Sequence, residues 1–186
     1  NGEIIGNFSV ALGLFDYINP IFYGITLITI LIKMFEKMNM PTYIIFALGA
    51  LISLIFGLSI PTVKLMVGLG KVEFKMPVNL VSCVNTGILL SGIALAFYVL
   101  GVKPLTLIIV LLCAAGIIGF LWYKTGKFNT VAVLIGAAGY LMIYISLILL
   151  SIRAKSIIPI VLYAFAICLF VFLCFVGILS NLKNIF

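Results

Sequence analysis

"TYIIFALGALISLIFGLSI" (residues 42–60) decides the fold. It runs from Pro41 to Pro61 without a charged residue. A helix needs about 20 apolar residues to cross the hydrocarbon core of a bilayer. A barrel strand would alternate apolar and polar side chains over about ten residues, and this stretch does not alternate. It reads as a membrane-crossing helix. Gly49, Ser53 and Gly57 recur every fourth residue and so share one helix face. In lipid, small side chains on one face let helix backbones approach closely.

Outward from this stretch the same texture repeats. Further apolar segments run from Phe8 to Ile32, Val78 to Leu100, Pro104 to Tyr123, Asn129 to Ile152 and Ile157 to Leu182. The reading is an all-α polytopic membrane helix bundle of about six transmembrane helices, one transmembrane domain over residues 1–186. Links at Gly101–Pro104, Lys124–Lys127 and Arg153–Ser156 are short, which makes successive helices antiparallel neighbours. "PTVKLMVGLGKVEFKMP" (61–77) fits neither class. It is expected to be an interfacial stretch or a continuation of the second helix past the headgroups.

Composition agrees. The chain is 66 % hydrophobic and 8 % charged, whereas a soluble domain is about 45–50 % apolar and about 25 % charged. The excess apolar surface must meet lipid, and a multi-pass location in the cell membrane is expected. Eleven basic and four acidic residues give a net charge of +7. The basic residues stand singly at segment ends, as membrane borders require, so lipid headgroups and not nucleic acid are their partners. With six spans, six basic residues fall on the side of the termini and five on the other. That balance leaves the orientation open. The first 30 residues lack the basic start and cleavage site of a signal peptide.

Chemistry is sparse. There is no histidine, and Cys83, Cys113, Cys168 and Cys174 lie mid-segment without a C-x-x-C spacing. Phosphate-binding, zinc-protease and nucleophile-elbow motifs are absent. No enzymatic activity, catalytic residue, metal ligand or cofactor is expected. Small-residue pairs at Gly87/Ser91, Gly92/Ala96, Ala115/Gly119 and Ala132/Gly136 place segments two to five at the centre. Phe165, Phe170, Phe172 and Phe175 spread around segment six, which is expected outside, facing lipid. Tyr98, Trp122 and Tyr123 suit an interfacial belt.

Against this background "LFDYINPIFYG" (14–24) is anomalous. A lone carboxylate in hydrocarbon is expensive, so Asp16 must be protonated, paired or hydrated, or the helix must begin beside it. Pro20 is read as a kink, or as a break that frees a backbone carbonyl. Lys64 is the natural partner of Asp16, because the start of segment one and the end of segment two face one membrane side. Alternatively, Lys64 snorkels to lipid phosphates. Ser82, Asn85 and Thr86 form a third polar group, read as a hydrogen-bonding contact between helices or as part of a site. Asp16, Asn19, Lys64, Asn85 and Thr86 are the candidate binding residues. Two functions follow: a small permeation or carrier unit for an ion or small solute, or a non-catalytic subunit docking partner membrane proteins. Either is expected as a homo-oligomer or beside other membrane subunits.

Overall fold

The computed structural model describes residues 9–70, 79–125 and 128–183. Among them are seven helices and no strand: α1 (Val10–Phe15), α2 (Ile18–Met34), α3 (Met40–Gly68), α4 (Asn79–Leu100), α5 (Pro104–Thr125), α6 (Phe128–Arg153) and α7 (Ile157–Lys183). Five stretches are long and apolar enough to cross a membrane: Gly13–Met34, Met40–Gly68, Leu80–Leu100, Pro104–Lys124 and Val131–Arg153. The protein is a multi-pass integral membrane protein with a bundle of roughly six membrane helices.

The first segment is broken. Proline has no N–H, and its ring clashes with the carbonyl four residues earlier. For Pro20 that residue is Asp16, and the helix is interrupted at Asp16 and Tyr17. Pro20 itself sits in the first turn of α2, where a missing donor is tolerated. Pro20 is therefore no mid-helix kink. Tyr17 bridges the break by donating its amide to the Leu14 carbonyl (3.2 Å) and accepting from Ile21 (3.1 Å).

The second segment is longer than the reading that ends it at Pro61. The Asn39 side chain caps α3, accepting from the Thr42 amide (3.1 Å). The helix then continues through a buried Pro61 to Gly68. Continuation of the second helix is thus found over residues 61–68; the rest of the 61–77 stretch, from residue 71, lies outside the described residues. Helical continuation through Pro61 costs one hydrogen bond, to the Gly57 carbonyl. The surrounding helices hold the chain in place despite that loss.

The core is a spine of three helices. α4 lies between α3 and α6 and packs most extensively on both. On one side, a Cβ added at Gly87 would stand 2.6 Å from the Ser53 amide and 2.7 Å from the Gly49 carbonyl oxygen. Only glycine allows that approach. The Ser91 hydroxyl sits in the same seam, donating to the Gly87 carbonyl (3.0 Å) and reaching that of Phe46 (3.4 Å). On the other side a Cβ at Gly92 would meet the Gly139 carbonyl oxygen at 2.6 Å. Phe46, Ile88 and Leu95 are fully buried between these backbones.

α5 differs from the expectation that placed it in the centre. In its most apolar stretch 6 % of residues are buried, against 44 % for α4. Gly116 and Gly119 meet nothing within 4 Å, so small residues at the right spacing remain unpaired. Leu107 alone is sealed, near the start of the helix. α7 packs on α6 at the outside, with Phe165 and Phe172 exposed as expected. α1 and α2 pack only on α3 to any extent.

Candidate functional site

Because α2 packs mainly on α3, a gap remains between α2 and α6. Its residues come from five helices, α2, α3, α4, α6 and α7, with Asp16 from the break. Asn19, Phe22, Tyr23, Thr26, Leu27 and Ile30 of α2 line it, and their spacing puts them on one helix face. Tyr23 and Tyr140 of α6 bridge it edge to face, with ring centroids 6.3 Å apart.

The gap holds two cavities. The first has a volume of about 260 Å³. Asp16, Lys64, Asn19 and Ser53 give it polar walls, and Pro20, Gly57 and Pro61 lie between them. The second, of about 240 Å³, is lined by Phe22, Leu27, Tyr144, Leu147 and Tyr163 among others. Asn19, Tyr23 and Tyr140 belong to both. One end of the gap is thus ionic and the other aromatic and aliphatic.

Asp16 and Lys64 form a hydrogen-bonded ion pair. The side chains remain 30 % and 23 % exposed, so the pair is neither sealed nor in bulk water. Depth follows from helix length. Counting about 20 residues back from Met34 or forward from Met40 ends near Asp16 and just before Lys64. Both charges therefore lie at the same membrane border, where a carboxylate is tolerated. Next to them the Tyr17 hydroxyl and Thr62 Oγ1 are 2.6 Å apart, a second clasp between the break and α3.

Two prolines shape the backbone here. Pro20 removes the helical donor for the Asp16 carbonyl, and Pro61 removes that for the Gly57 carbonyl. Asp16 and Gly57 both line the first cavity. A Cβ on Gly57 would lie 3.7 Å from Pro20 Cβ, so the two proline sites face each other. Tyr23 adds an orphan: its hydroxyl is buried without a hydrogen bond of good geometry. Ser53 lies beside it; the serine hydroxyl donates to the Ala50 carbonyl (2.9 Å), and its oxygen can still accept. A buried hydroxyl left unpaired costs about 1–3 kcal/mol, so a partner that reaches it is favoured.

Of the five candidate residues, the structure brings Asp16, Asn19 and Lys64 to this cavity. Asn85 is elsewhere: its side chain packs on Gly136, where an added Cβ would stand 2.3 Å from Oδ1. It occupies the α4–α6 seam. Thr86 is exposed and donates to the Ser82 carbonyl in its own helix (2.8 Å). Tyr23 was not singled out by sequence reasoning, and Ser53 was read only as part of a small-residue helix face. Asn19, Tyr23 and Thr26 at i, i+4 and i+7 carry the signal for a polar face on α2. No group of three or more metal-ligating side chains occurs among the described residues. No family model, curated protein or solved structure matches the chain.

Proposed function

We propose that the protein is a carrier or permeation unit that admits a small polar or charged solute through the cavity beside Asp16 and Lys64. The observation carrying this reading is the cavity of about 260 Å³ at the membrane border. It presents a partly exposed ion pair, an amide and the buried hydroxyl of Tyr23. A water's share of liquid volume is about 30 Å³, so the cavity has room for several waters or a small solute.

The test is isotope counterflow in proteoliposomes with radiolabelled sodium, rubidium, glycine and phenylalanine. Exchange of at least one above protein-free vesicles is expected, and Asp16→Asn is expected to abolish it while still inserting. Equal exchange in vesicles with and without protein would overturn the reading.

One observation favours the second function. The Ala115–Gly119 face of α5 is bare although its small residues suit a close helix contact. As a docking subunit the protein would present this face to another membrane helix. Native mass spectrometry after gentle extraction separates the two. Fixed-ratio association with other polypeptides supports the subunit; a lone chain or homo-oligomer supports the carrier.

A further inference from the structure

The two cavities together specify a ligand more narrowly than either does alone. The first presents one acidic and one basic side chain to the same space. A simple cation would be repelled by Lys64, and a simple anion by Asp16. A ligand with both charges on one small frame replaces the internal pair with two external ones and leaves neither side chain unpaired. Its ammonium carries three N–H donors. Asp16 offers a carboxylate, and the carbonyls of Asp16 and Gly57 have lost their helical donors.

The second cavity addresses the rest of the ligand. Tyr144, Tyr163 and Phe22 give it aromatic walls, with Leu27 and Leu147 behind them. Tyr140 and Tyr144 stack with their rings 20° apart. Such walls favour an apolar or aromatic substituent. Tyr23 stands at the junction, in both linings, with its buried hydroxyl.

Resting on the reading of the first cavity as a binding site, we infer that the ligand is a zwitterion with an apolar or aromatic substituent: ammonium on Asp16, anionic group on Lys64, substituent between Tyr23 and Tyr144. An aromatic amino acid has this chemistry, and so does a phosphatidylethanolamine, with its ammonium, phosphate and acyl chains.

Binding and not flux tests it, so this inference and the carrier reading fail separately. The protein is placed in nanodiscs of phosphatidylcholine and phosphatidylglycerol, and equilibrium binding of radiolabelled phenylalanine is measured. Competition by phenethylamine and by 3-phenylpropionate, each lacking one charge, is expected to be at least tenfold weaker than by unlabelled phenylalanine. Tyr144→Leu is expected to reduce the preference for phenylalanine over glycine severalfold. A second arm quantifies lipids retained through purification. Selective retention of phosphatidylethanolamine, lost in both Asp16→Asn and Lys64→Gln, assigns the site to the lipid. Single-charge analogues competing as well as phenylalanine would overturn the inference. So would a protein that holds neither phenylalanine nor phosphatidylethanolamine. The competition arm uses the unaltered chain, so it stands even if a charge variant fails to fold.

Discussion

Lys155 closes α6 in the left-handed conformation, with φ +53°. Its amide and that of Ser156 return to the carbonyls of Ile152 and Ser151 at 3.0 Å each, a closure that α4 makes with glycine at Gly101 (φ +67°). A side chain in this region costs about 1–2 kcal/mol. Lys155→Gly is expected to stabilise the protein by about 1 kcal/mol, read by steric-trap unfolding in bicelles. The same measurement distinguishes two glycines. Gly87→Val drives a side chain into the α3 backbone and is expected to lose about 2–3 kcal/mol. Gly119→Ala meets empty space and is expected to stay within about 0.5 kcal/mol. At this scale the sequence was partly legible. Asp16, Asn19 and Lys64 stood out because polar groups are rare in apolar segments. Asn85 stood out equally but packs against Gly136, and a single sequence does not say which neighbour a helix face meets. Tyr23 passed unnoticed because a tyrosine in a membrane helix is ordinary until its hydroxyl lacks a partner.

Elements were legible in number and type, and least so where proline intervened. Pro20 and Pro61 look alike in sequence, yet one breaks a helix and the other rides inside one. The difference is support. α3 packs extensively on α4 and also on α1 and α2, whereas the start of α2 packs on α3 alone to any extent. Restoring the donor is then informative. Pro20→Ala is expected to fuse α1 and α2, slowing amide exchange at residues 17–21 about tenfold, read by hydrogen–deuterium exchange. The ion pair depends on the break to aim Asp16 at Lys64, so the fused helix is expected to lose solute binding as it gains order. Unchanged exchange in Pro20→Ala would show that the break has another cause.

For the whole molecule, alternation of the helices puts the turns holding Lys37, Lys103 and Lys155 on one membrane side. Gly70 and the Asp16 break lie on the other. In a chain freed of native cysteines, single cysteines at Lys37, Lys103 and Lys155 are expected to react with an impermeant maleimide from one side only, and a cysteine at Gly70 from the other. The bundle itself was legible from segment length and apolarity. The ranking of helices was not: small-residue spacing marked α5 as central, and it stands at the edge. α4 and α6 run in the same direction and lie side by side, which short links alone do not permit. The chain must travel back across the bilayer between them, and α5 is that return path. A return path is constrained by reach and solubility in lipid, not by the shape of its neighbours. Permuting the exposed apolar residues of α5 should leave the spine untouched, whereas removing one helical turn should leave α6 too shallow to meet α4.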